Sequence, residues 1–282
     1  MADPILSPGA WISPALTWLN VNHHDTFARI AAVFEALLGG VVQALSVLPP
    51  LATLGWLAAL AFFAAGWRVA LLWAAGLGFC LAAGMWTATL ATIALVLVAV
   101  VFSVAIGIPL GVFFSRTRAL KTTIAPVLDL MQTMPPWVYL VPFVILFGLG
   151  AVPALLATVI YGIAPMMRLT LLAMALIPQE RIELGQAVGA TRGEILRKIE
   201  LPSALPTLLV GVNQCILLSL AMVVLAGLVG AGGLGAEVTK GLTRMDFGLG
   251  LRASLAIVAL AVMFDRACRG AVPRIYTDAA AF

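Results

Sequence analysis

Seven apolar runs dominate the chain, near Leu48–Gly66, Val69–Gly84, Ala88–Phe114, Ile124–Leu149, Val152–Leu176, Leu205–Val229 and Leu249–Phe264. A helix rises about 1.5 Å per residue and the bilayer core is about 30 Å thick, so these runs predict membrane-spanning helices. The second run is the shortest, and the first two also fit one re-entrant hairpin around Trp67-Arg68. Ahead of them, Phe27, Ile30, Ala31, Phe34, Leu37, Leu38 and Val41 recur at helical spacing, with Arg29 and Glu35 off that stripe. The stripe predicts an amphipathic helix on the outer membrane surface or packed against the bundle; an extension of the first span is the alternative. The pattern as a whole reads as an all-α polytopic membrane protein of about seven transmembrane helices.

One stretch breaks the apolar pattern: Glu183–Pro202, ELGQAVGATRGEILRKIELP. Pro178 suits the first turn of a helix running through Glu180, Arg181, Glu183 and Gln186. Gly189 suits the left-handed position just past its C-terminus. Thr191, with Glu194 three residues on, predicts a capping box and a second helix. That helix carries Ile195, Leu196 and Ile199 on one face and Arg197 and Lys198 off it, and Pro202 is expected to break or redirect it at the membrane surface. Gly185 and Gly193 each weaken a short helix by about 1 kcal/mol relative to Ala, unless something packs close to the backbone there. The loop reads either as a docking element for a partner or as a plain helical hairpin holding the fifth and sixth spans apart.

Composition agrees with the membrane reading: 63% of residues are hydrophobic and 10% charged, against about 25% charged in soluble domains. The net charge of +4 implies no nucleic-acid partner, because the basic residues lie in short loops where they orient the chain. With the N-terminus outside and the C-terminus inside, 12 of the 16 basic residues face the cytoplasm, namely Arg68, Arg116, Arg118, Lys121, Arg168, Arg181, Arg192, Arg197, Lys198, Arg266, Arg269 and Arg274. The positive-inside rule favours that orientation and puts the polar loop in the cytoplasm. The N-terminal MADPILSPGAW lacks a basic segment followed by an apolar one and reads as no cleavable signal. Cys80, Cys215 and Cys268 lie in apolar runs without metal-ligand spacing, and His23-His24 reads as a surface pair. No strong internal repeat is visible, which argues against an inverted-repeat secondary transporter. No G-x-x-x-x-G-K-[ST] occurs, so the chain carries no P-loop with which to hydrolyse ATP.

The loop resembles the cytoplasmic EAA loop of ABC importer permeases, whose pattern is EAA, three residues, G, nine residues, then I-x-LP. Glu183, Gly189, Ile199, Leu201 and Pro202 match in register, while Leu184-Gly185 departs from the usual two alanines. The stretches Leu128–Gly150, Gly211–Gly235 and Arg244–Gly250, with Asp265-Arg266, are similar to permeases of glycine betaine/proline betaine importers. The similarity spans about residues 85–268. It implies the type I, methionine-permease-like fold, with residues 178–202 as the coupling loop. Residues 1–47 then form an extracytoplasmic segment, 48–84 two accessory helices and 269–282 a tail. The resemblance also implies a homodimer in the bacterial inner membrane, a separate ATPase subunit that binds ATP and Mg, and an extracytoplasmic substrate-binding protein. No cofactor is expected on this chain. Coupling to the ATPase would fall to Glu183, Gly185, Gly189, Ala190, Thr191, Ile199, Leu201 and Pro202.

Met131, Met134, Trp137 and Tyr139 flank Pro135-Pro136 and are candidates to line the passage. Aromatic faces suit a quaternary ammonium through cation–π attraction of about 0.5–2 kcal/mol; packing is the competing reading. Asn213 and Gln214 interrupt an apolar span and read as inter-helix glue or as passage lining. Asp129 and Asp265 lie close enough to the interface to pair with arginines. Gly230, Gly232, Gly233 and Gly235 predict a close-packed turn on the outer face, followed by a surface segment, Glu237–Gly248.

Overall fold

A computed structural model describes residues 8–279, and every regular element among them is helical. The segment MADPILS, the last three residues and the Arg274 side chain lie outside what is described. In chain order the helices are α1 (Pro8–Asn22), α2 (His24–Ser46), α3 (Pro50–Ala65), α4 (Trp67–Ala82), α5 (Trp86–Ser115), α6 (Arg118–Thr133) and α7 (Pro136–Phe147). They continue with α8 (Ala151–Ala175), α9 (Gln179–Ala187), α10 (Arg192–Ile195), a π-turn (Leu196–Glu200), α11 (Leu201–Leu228), α12 (Gly233–Thr243) and α13 (Phe247–Ala279).

The core is the α5–α8–α11 stack, and small residues bring its backbones together. The Ser103 hydroxyl donates to the Val159 carbonyl at 3.0 Å; Gly107 lies against Met166, and Gly111 against Thr170. Partner numbers rise together along the two helices, so α5 and α8 run parallel. The Cys215 thiol meets the Gly162 carbonyl at 3.1 Å and Gly211 lies against Met166, so α11 runs antiparallel to α8. In the absence of a hydrophobic drive between helices in lipid, such small-residue contacts supply the packing.

Parallel α5 and α8 require the chain between them to cross back. The intervening helices, α6 and α7, meet at 89° and are therefore one broken span, since a re-entrant hairpin would return the chain to the side it came from. The fourth span read over Ile124–Leu149, with a proline pair inside it, is thus two helices set at a right angle rather than one helix. Pro135 forces Met134 out of the helical region, to φ −67° and ψ 133°, and so ends α6. Pro136 then starts α7 without loss, as a first-turn proline. The Tyr139 hydroxyl donates to the Met131 carbonyl at 2.5 Å and staples the bend.

The apolar runs map onto helices with some differences in length. Besides the broken pair, five helices are long and apolar enough to cross: α2, α5, α8, the rod Arg192–Leu228 and α13 through Ala271. The two accessory helices α3 and α4 have 16 residues each, or about 24 Å, and fall short of the ~30 Å hydrocarbon core. They are two helices joined at Gly66, packed on each other and on α13. The α2 stripe packs against the bundle: Phe34 meets Phe102, Phe27 meets Phe147, and Leu38 is buried. A break at Val47–Pro49 separates α2 from α3, which removes the extension reading.

Candidate functional site

The polar stretch folds as two short helices and a π-turn at one end of the bundle. Pro178 sits one residue before α9 as its N-cap. At the other end the Gly189 N–H donates to Gln186 and the Ala190 N–H to Gly185, both at 3.0 Å, with Gly189 at φ 79°. This pairing closes α9 as a Schellman motif and requires the left-handed residue that glycine supplies. The capping box is complete. The Glu194 N–H donates to Thr191 Oγ1 at 3.3 Å, and the Thr191 N–H to Glu194 Oε2 at 2.9 Å. Donation from Thr191, chiefly its backbone N–H, and the nearby Lys198 ammonium hold the Glu194 carboxyl below the usual carboxylate range.

Gly185 is buried beneath Ile195 and Ile199, so α9 packs directly on the π-turn. Gly193 has open space beside it, so nothing among the described residues explains a glycine there. Leu184 and Val188 are apolar, yet 66% and 76% exposed. Together with Glu183 they form a projecting face with no partner inside the described bundle.

Pro202 does not break the helix, in contrast to the sequence expectation. The rod runs unbroken from Arg192 to Leu228. The Leu201 N–H reaches back to Leu196, a five-residue step that widens the turn and makes room for the proline ring while the rod continues. Just before it, Glu200 is buried and takes a bidentate grip from Arg116 at the end of α5, at 2.9 and 2.8 Å. The sequence reading missed this pair. Its signal was a carboxylate inside the otherwise apolar I-x-LP segment.

The passage candidates divide. Tyr139 is buried, bonded to Met131 and stacked near Tyr161 at 5.6 Å, while Trp137 remains 43% exposed. Met134 packs beside Tyr139, and Met131 packs in a different cluster with Leu128 and Met167. Asn213 donates to Asp265 at 2.8 Å and joins α11 to α13, whereas Gln214 points to an exposed face. Both intramembrane acids have arginine partners: Asp265 with Arg269 at 2.9 Å, and Asp129 with Arg168. Arg168 lies within α8 rather than in a loop, and also reaches Gln132. At the opposite end, Leu234 N–H donates to Thr92 at 2.9 Å and Gly227 abuts Gly235, so the glycine-rich turn is closely packed.

A parallel-helix core, a broken span and a capped polar loop between two long helices define a transport permease built on the type I importer fold. Residues 103–275 match the family described as binding-protein-dependent transport system inner membrane component, and the chain belongs to that family. It is 38% identical over 249 residues to the glycine betaine transport system permease protein OpuAB of Bacillus subtilis, covering 88% of each chain. It is 36% identical over 257 residues to the glycine betaine/proline betaine transport system permease protein ProW of Escherichia coli, covering 91% of this chain and 73% of that one. A solved structure of inward facing conformations of the MetNI methionine ABC transporter matches with a TM-score of 0.60 at 26% identity. That match covers 65% of this chain and 92% of the other.

Proposed function

We propose that this chain forms the passage of an ATP-driven importer for glycine betaine, proline betaine or a related quaternary ammonium osmoprotectant. The observation that carries the coupling reading is the loop: a doubly capped element whose apolar residues Leu184 and Val188 project away from the bundle. The betaine reading draws its support from the names of the two similar permeases. Glu183, Gly185, Gly189, Ala190, Thr191, Ile199, Leu201 and Pro202 form the coupling element and its supports, seated on a separate ATPase that binds ATP and Mg. Two copies of the chain pair in the inner membrane, and an extracytoplasmic binding protein delivers the solute. The loop and C-terminus face the cytoplasm and the N-terminus faces outside, supported by the basic residues gathered at the loop end.

ATP binding would draw the two ATPases together, and the coupling loops with them, rocking the paired bundles from inward-open to outward-open. Ligand and ATP must favour different states for this to transport anything. Trp137, Met131, Met134 and Gln214 line the passage in this reading, with Tyr139 and Asn213 holding its walls. The test is ATP-dependent uptake by the reconstituted complex with binding protein loaded with betaine, methionine or taurine. Preference for methionine or taurine would reassign the cargo to amino acids or sulfonates. Ion-gradient-driven transport by the chain alone would replace the importer reading with a secondary transporter.

A further inference from the structure

Glu200 is the only charged side chain buried among the described residues. The other charges of the loop, Glu180, Arg181, Glu183, Arg192, Glu194, Arg197 and Lys198, are all exposed. Its side chain is 8% exposed, against 45% for Arg116. Arg116 Nη1 donates to Glu200 Oε1 and Nη2 to Oε2, the paired geometry that fixes direction as well as distance. Among the described ion pairs it alone joins the polar loop to another element.

The location gives the pair its consequence. The loop is covalently continuous with α8 and α11, but α5 reaches it through no chain connection. Arg116 closes α5 beside a recess of about 340 Å³ lined by Ser115, Lys121, Gln179 and Glu200. Glu200 ends the π-turn, and the extra residue of that turn rotates the downstream helix by about 100° relative to an unbroken α-helix. Ile195 and Ile199 face Gly185, while Glu200 faces α5.

We propose that Arg116 and Glu200 are positioning residues for energy coupling, a tie that carries displacement of the polar loop into α5 so that α5, α8 and α11 move as one body. The proposal rests on reading residues 178–202 as the coupling loop. Without the tie, the end of α5 beyond the Gly111–Thr170 contact would slip as the loop moves α8 and α11, so hydrolysis would continue with less solute moved per ATP.

The test uses the full complex of permease, ATPase and binding protein in proteoliposomes, with glycine betaine as solute. Arg116→Gln, Glu200→Gln and Arg116→Lys are each expected to copurify with the ATPase within twofold of wild type. Solute moved per ATP should fall at least fivefold, and the swap Arg116→Glu with Glu200→Arg should recover at least half of the loss. An unchanged ratio in the single variants overturns the proposal, as does a swap no better than they are. Variants that fail to accumulate, or a swap restoring accumulation but not the ratio, assign the pair to folding alone and overturn it too. A wild-type complex that moves no solute on ATP overturns the coupling-loop reading itself and the proposal with it.

Discussion

At Gly185 an added Cβ would sit 2.7 Å from the Ile199 Cδ1 and 3.2 Å from Ile195 Cγ1. The Ile199 side chain occupies the space an alanine methyl would take, so α9 and the π-turn pack closer here than a methyl allows. Gly185→Ala should therefore lower copurification of the ATPase severalfold, and adding Ile199→Val should restore it; equal loss in the double variant would show that the methyl acts elsewhere. At Thr191 the cap satisfies a helix-end donor, and Thr191→Ala should destabilise the loop by about 1 kcal/mol, read as faster proteolysis between α9 and the π-turn. The folded-state pKa of Glu194 is depressed, so its contribution is present above the ordinary carboxylate pKa and is lost as pH falls through the folded value. Acidification below that range should accelerate the same cleavage, whereas Glu194→Gln, which still accepts from Thr191, should remove most of the pH dependence. Gly189, the capping box and the close approach at Gly185 were all legible in the sequence, because each is local turn or helix-end chemistry. Arg116–Glu200 was not, because 84 residues separate its members and no local rule brings them together.

Among the elements, the broken span differs most from its sequence pattern. Hydrophobicity runs on through Pro135-Pro136, so a window sees one run where the backbone turns by 89°. The crossing itself follows from the parallel contacts of α5 and α8, which no hydropathy pattern contains. Tyr139→Phe removes the hydroxyl that staples the bend and should destabilise it by about 1 kcal/mol. Uptake should weaken modestly while ATPase binding stays intact; loss of ATPase binding would place Tyr139 in the loop's support instead. The π-turn was equally hidden: in an α-helical ladder Pro202 breaks or redirects the helix, whereas the five-residue step from Leu201 to Leu196 accommodates it. The α2 stripe, by contrast, was visible as a period, and the structure adds what it faces: Phe102 and Phe147.

For the whole molecule, the class was legible because a chain that is 63% hydrophobic and 10% charged has few alternatives to the membrane. Family membership then follows from the match over residues 103–275. The central claim of the proposed function is a division of labour: one end of the bundle would offer a capped loop to a partner carrying ATP, and the other, with its tightly packed glycine turn, would face incoming solute. The orientation is open to direct labelling. A cysteine introduced at Gly193, which faces open space, should react with a membrane-impermeant thiol reagent only in inverted vesicles, and one at His23 only in intact cells. The most direct test of the central claim is ATP-driven glycine betaine uptake by proteoliposomes containing the permease, its ATPase and the binding protein, comparing wild type with Gly189→Asp and Glu183→Lys. Both variants should reach the membrane in normal amount and lose at least nine-tenths of uptake, by uncoupling or by losing the ATPase. Normal assembly and normal uptake in both would contradict the assignment of this loop to coupling.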